Sequence, residues 1–129
     1  MHDQPPRRVL LAEDDALLAQ TVLDFLSDEG FSVVMAGDGQ QALEQAKTVV
    51  FDVLLTDLRM PHVDGIQLVR GLRTKRPALP VVVMSGNAPV NLRTSIVREG
   101  EGPLVIVAKP VRLPHLLQAI EQVLTPAAE

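Results

Sequence analysis

Four short stretches of the chain place reactive side chains at the ends of apolar runs. Glu13, Asp14 and Asp15 come directly after Val9-Leu10-Leu11-Ala12. Asp57 ends the run Val53-Leu54-Leu55-Thr56, Ser85 ends Val81-Val82-Val83-Met84, and Lys109 with Pro110 comes after the run ending at Ala108. Carboxylates gathered at one point repel one another, and a hard divalent cation relieves the repulsion. Mg²⁺ (or Mn²⁺) suits such a set, since Mg²⁺ takes oxygen ligands and keeps several waters when only one or two carboxylates bind it. An Asp carboxylate is also a nucleophile toward phosphoryl groups. Transfer to it needs charge neutralised around the equatorial oxygens, which the cation, the Lys109 ammonium, the Ser85 hydroxyl and backbone N–H groups can supply.

These side chains act together only if the fold brings them to one place. Residues 9–12, 31–36, 52–56, 80–84 and 104–108 read as strands. Residues 16–29, 40–48, 65–74, 90–99 and 112–124 read as helices. The last is the most strongly patterned, with Leu113, Leu116, Leu117, Ile120 and Val123 at helical spacing. The stretch 90–99 is the weakest, with only Leu92, Ile96 and Val97 as apolar anchors, so residues 86–103 are expected to have low local stability and to be recruited for switching. Strand then helix, five times over, predicts a parallel α/β sheet covered on both faces, and near-continuous apolar strands are what such a sheet needs. Ligands of open α/β sheets bind at the carboxyl ends of the strands, where all four reactive stretches fall.

The 129 residues fit one domain, here 7–124 with tails at 1–6 and 125–129. A net charge of −4 argues against direct nucleic-acid binding. The absence of cysteine excludes disulfides, thiolate catalysis and Cys-ligated zinc. His2, His62 and His115 are too scattered for a histidine-rich metal site. No apolar run is long enough to span a membrane and the first eight residues lack a signal-peptide core, so a cytoplasmic protein is expected.

The sequence resembles the receiver domain of two-component response regulators and is chemotaxis-regulator-like. The carrying residues are Leu10-Leu11-Ala12-Glu13-Asp14-Asp15, Leu55-Thr56-Asp57-Leu58-Arg59-Met60-Pro61, Asp64-Gly65, Met84-Ser85-Gly86 and Ala108-Lys109-Pro110. The resemblance implies a flavodoxin-like, doubly wound (βα)5 sheet of order 2-1-3-4-5 with five helices. It implies that Asp57 is the phosphoacceptor and that Asp14, Asp57 and the Arg59 carbonyl hold Mg²⁺, with Glu13 acting through metal-bound water. Ser85 and Lys109 would contact the phosphoryl group, and a cis Lys109–Pro110 bond would aim the lysine. The donor would be a sensor histidine kinase or a histidine phosphotransfer protein. The receiver itself would catalyse the transfer and a slow autodephosphorylation, then switch the face made by the 90–99 helix, the fifth strand and the last helix, where an output partner would dock. A monomer or weak dimer is expected.

The chain departs from that pattern in places. Glu13 replaces a frequent Asp. Ile106 stands where a ring often reports the switch, and Val111 where an aromatic is frequent. The Arg59 side chain, two residues past Asp57, is placed to modulate phosphoryl lifetime. Plainer roles are expected elsewhere: Asp15 as a helix cap, Asp52 as surface, Asp64-Gly65 as loop geometry and capping, and His62 as an exposed loop residue. Among rivals, a pseudo-receiver acting only through protein contacts would not need Asp14, Asp57, Ser85 and Lys109 together. A haloacid-dehalogenase-like hydrolase would need a second Asp where Arg59 stands. An FMN binder would not place acids after its first strand.

Overall fold

Alternate residues of a strand point to opposite faces, so a short apolar run in a central strand serves two cores at once. The computed structural model describes residues 5–87, 92 and 96–125. Its strands β1 (Arg8–Ala12), β2 (Ser32–Ala36), β3 (Val53–Asp57), β4 (Val81–Ser85) and β5 (Leu104–Ala108) form one parallel sheet in the order β2-β1-β3-β4-β5. Leu10, Leu54, Val81 and Val83 face a core shared with α2 (Gly39–Ala46) and α3 (Gly65–Lys75). Val9, Leu11, Val53, Leu55, Val82 and Met84 face a second core with α1 (Ala16–Asp28) and α4 (Leu113–Leu124). The doubly wound order is therefore as the family resemblance implied.

Local chemistry fixes the helix starts. Asp15 accepts from the Leu17 and Leu18 N–H groups at 3.0 and 3.1 Å. Asp38 caps α2 through Gln41 N–H, and Asp64 and Gln67 form a reciprocal capping box on α3. Asp52, expected only as a surface residue, accepts from Arg8 N–H at 2.7 Å and ties down the start of β1. The strands run one residue further than expected at two ends: Asp57 pairs in register with Met84, and Ser85 with Ala108. Of the helix expected over 90–99, residues 90, 91 and 93–95 lie outside the described residues. Leu92 and Ile96 are helical and fully buried in the α2–α3 core.

The run-up to β5 is also better held than its apolar count suggests. Arg70 makes a bidentate pair with Glu101 at 2.9 and 2.7 Å and donates to Ile96 O at 2.6 Å. The Arg73 side chain is fully buried. Its Nη2 donates to the carbonyls of Leu79, Gly102 and Pro103 at 2.8, 3.0 and 2.9 Å. Two arginines on one face of α3 thus clamp residues 96–103. The low contact density expected across 86–103 does not extend to this end, because polar anchors replace apolar ones.

After β3 the chain makes a tight reversal. Val63 N–H donates to Pro61 O at 2.8 Å, closing a γ-turn about His62, whose φ is +69°. Beside it, a Cβ on Gly39 would lie 2.1 Å from Val63 O, and one on Gly65 would lie 2.5 Å from Asp57 O. Both helix starts therefore press against this loop with no room for a side chain.

Each of these contacts carries an expected outcome. Arg73→Met strands buried carbonyls and should lower stability by about 3 kcal/mol in urea unfolding; a loss under ~1 kcal/mol would show the clamp to be dispensable. Hydrogen bonds from Arg70 lead the causes that hold the Glu101 carboxyl down from 4.5 to about 2. A depressed carboxylate contributes stability above its unfolded value and loses it as pH falls through the folded one. Glu101→Gln should therefore flatten the fall in stability between pH 4.5 and about 2; parallel wild-type and variant curves would place the acid sensitivity elsewhere. At His62 a Gly, which takes positive φ at no steric cost, should be more stable than a Val by about 1–3 kcal/mol. Equal stability of the two variants would contradict strain there.

Candidate functional site

The carboxyl ends of β1, β3, β4 and β5 meet at one edge of the sheet, and the backbone continues the ladder just far enough to position the first residues beyond the strands. Glu13 N–H donates to Ala36 O at 3.1 Å, Leu58 N–H to Met84 O at 2.9 Å and Lys109 N–H to Ser85 O at 2.9 Å. Glu13, Asp57, Ser85 and Lys109 are thus fixed by main-chain bonds before any side chain acts. The Lys109–Pro110 bond is cis.

Lys109 Nζ lies 3.1 Å from Asp57 Oδ2 and 3.3 Å from Glu13 Oε1. Carboxylate oxygens of Glu13, Asp14 and Asp57 all lie within 4.8 Å of one another. Glu13 and Asp57 are buried, while Asp14 is exposed. A cavity of about 240 Å³ opens over this group, lined by Asp57, Leu58, Arg59, Ser85, Gly86, Asn87 and Lys109.

Burial is the main cause that pushes the Glu13 carboxyl up, with the Asp57 charge adding to it. The Asp15 N–H, at 2.9 Å from Glu13 Oε2, and Lys109 only partly oppose this. Burial works to lower Lys109, but its hydrogen bond to Asp57 and the two carboxylate charges outweigh that and leave the ammonium raised. Three carboxylates around one ammonium leave an excess of negative charge in a partly desolvated place. Hard oxygen donors at this spacing fit a divalent cation such as Mg²⁺, with Asp14, Asp57 and Glu13 as the side chains to hold it.

The sequence-derived residues are therefore brought together, with differences in detail. Glu13, expected to act through metal-bound water, accepts from both Lys109 and the Asp15 backbone. Ser85 is buried, and its hydroxyl bonds neither Asp57 nor the Lys109 side chain among the described contacts; its Oγ accepts from Asn87 N–H at 3.3 Å. That leaves the hydroxyl proton free to donate into the cavity. Arg59 is exposed on the cavity wall. Sequence reading missed Asn87 as a lining residue, and the only available signal was its position two residues past Ser85. It also missed Thr56, whose hydroxyl donates to Asp57 O at 2.8 Å and steadies the turn out of β3. His62 is exposed on the adjoining loop, as expected.

Comparison with known proteins agrees with this geometry. The profile of the response regulator receiver domain matches residues 9–121. The transcriptional regulatory protein PdtaR of Mycobacterium tuberculosis is 38% identical over 117 residues, covering 90% of this chain and 56% of PdtaR. The transcriptional regulatory protein ZraR of Escherichia coli is 32% identical over 116 residues, covering 90% of this chain and 26% of ZraR. The chain thus spans about half the length of one relative and a quarter of the other. Among solved structures, a response regulator receiver protein from Sinorhizobium medicae superposes with a TM-score of 0.82 at 30% identity, covering 92% of this chain and 94% of that one. The chemotaxis response regulator CheY4 of Vibrio cholerae superposes at 0.81 and 26% identity, covering 92% and 98%. With the sheet order, the convergent acids and the lysine at their centre already in place, the chain belongs to the response regulator receiver domain family of two-component systems.

Proposed function

We propose that this receiver accepts a phosphoryl group on Asp57 from the phosphohistidine of a sensor kinase or a histidine phosphotransfer protein, in a Mg²⁺-dependent step. The observation that carries the reading is the convergence of Glu13, Asp14 and Asp57, with Lys109 bridging Glu13 and Asp57. An Asp57 carboxylate oxygen attacks phosphorus. The new O–P bond forms as the donor's N–P bond breaks, and the imidazole nitrogen leaves and takes up a proton. Lys109 Nζ, already 3.1 Å from Asp57 Oδ2, turns to the incoming phosphoryl oxygens, and the Ser85 hydroxyl donates its free proton to another. A bound Mg²⁺, held by Asp14, Asp57 and the Arg59 carbonyl with Glu13 through water, would supply the remaining charge neutralisation. The Arg59 side chain at the cavity wall would tune access of the water that hydrolyses the acyl phosphate.

Drawing Lys109 and Ser85 toward the phosphoryl group gives the switch its direction. Ser85 leads into the 86–103 segment and Lys109 leaves β5, so the output face is read as that segment with β5 and α4. Ile106 is only partly buried and packs against the α2–α3 core, so no ring rotation reports the change. A net charge of −4 supports no direct nucleic-acid contact by this domain. Among the described residues no helix is long and apolar enough to cross a membrane. A cytoplasmic monomer or weak dimer fits the receiver reading. The pseudo-receiver alternative is disfavoured, because it would leave Glu13 and Asp57 buried close to each other with no purpose.

Incubation with Mg²⁺ and acetyl phosphate should add a single phosphoryl group of about 80 Da to the intact protein. The adduct should be absent in Asp57→Asn and in EDTA, and Asp14→Asn should weaken Mg²⁺ binding by at least about tenfold. If no adduct forms and beryllofluoride, a stable phosphoryl mimic, also fails to bind, the pseudo-receiver reading replaces this one.

A further inference from the structure

A second cleft, of about 330 Å³, opens between α2 and α3 and is lined by Leu43, Ala46, Phe51 and Leu72 with Gly71 at its edge. Both helices run away from the phosphoryl-accepting edge, and Phe51 precedes β3, so the cleft belongs to a different part of the molecule. Its volume is at the lower end of small-molecule sites, about 300–1,000 Å³.

Gly71 has no role in the fold that calls for glycine. It sits inside α3, exposed, and a Cβ there would meet only the flexible Leu43 Cδ2 at 3.3 Å. Glycine is the poorest residue for a helix interior apart from proline, yet here it keeps the cleft open. The rim is charged on one side. Lys47 is paired with Glu44 at 3.4 Å. Arg76 lies 5.1 Å over the Phe51 ring and donates to Phe51 O at 2.7 Å, with no carboxylate partner among the described residues. Lys75 has no ion-pair partner among the described residues. Its place in the last turn of α3 accounts for its sign through the helix dipole, but not for the apolar cleft beside it.

We propose that this cleft binds a small aromatic monocarboxylate, its ring on the floor beside Phe51 and its carboxylate between Lys75 and Arg76. An apolar floor excludes strongly hydrated anions, and the two uncompensated cations favour an acid over its neutral analogue.

The test is titration of the full chain, ¹⁵N-labelled, with 1-naphthylacetate and with 1-naphthylacetamide as the neutral control. The acid should give saturable amide shifts confined to α2, α3 and residues near Phe51, and the amide should bind about tenfold more weakly. Lys75→Gln should reduce the acid to the level of the amide. Gly71→Leu should raise Tm by about 4 °C and abolish binding. Equal affinity for acid and amide, no saturable shift, or undiminished binding in a folded Gly71→Leu protein would overturn the proposal. Concentration-dependent shifts at the cleft without any ligand would also overturn it and assign the cleft to a second copy of the chain.

Discussion

Lys109 Nζ stands between Asp57 Oδ2 and Glu13 Oε1, and the rest of the functional edge is organised around those two contacts. One ammonium cannot neutralise three carboxylates. The surplus charge is tolerable because Asp14 is exposed and because Glu13 also accepts a backbone N–H. A buried cluster that is under-neutralised binds cations and responds to added charge, whereas a fully paired one would be inert. The same imbalance that costs stability suits the edge to a cation.

That edge needs a scaffold that does not give when charge arrives. Five-residue strands with both faces buried provide it, since every residue of β3 and β4 is buried. The arginine clamp on α3 extends the same rigidity to the chain entering β5, by bonding carbonyls that would otherwise be stranded between helix and sheet. Polar and apolar anchoring thus act on different parts of one frame: apolar residues hold the sheet, and guanidinium groups hold its irregular connection.

The sheet was legible in the sequence because doubly covered strands must be apolar throughout, and the helices because apolar residues recur at helical spacing, with Asp15 and Asp64 marking two of the starts. The site was legible because Asp57, Ser85 and Lys109 each end an apolar run, and parallel strands deliver such ends to one edge. The features that were not legible depend on contacts between distant segments. Nothing local marks Arg70 and Arg73 as structural, since charged residues at these spacings on a helix ordinarily face solvent. Their partners lie some thirty positions away, at Glu101, Gly102 and Pro103. Glu13 was read as a metal-facing acid, but its bond to Lys109 depends on β1 and β5 ending at one level, which no spacing rule specifies.

The two glycines that press against the loop after Asp57 have an evolutionary consequence. Gly39 abuts Val63 O and Gly65 abuts Asp57 O, at distances no side chain can enter. Sequence change at those positions is closed, so the floor of the site cannot drift without loss of the fold. Arg59, exposed on the same loop, carries no such restriction, whereas His62 is held at a φ of +69°. Selection can therefore vary what Arg59 presents to solvent while the backbone beneath it is inherited unchanged.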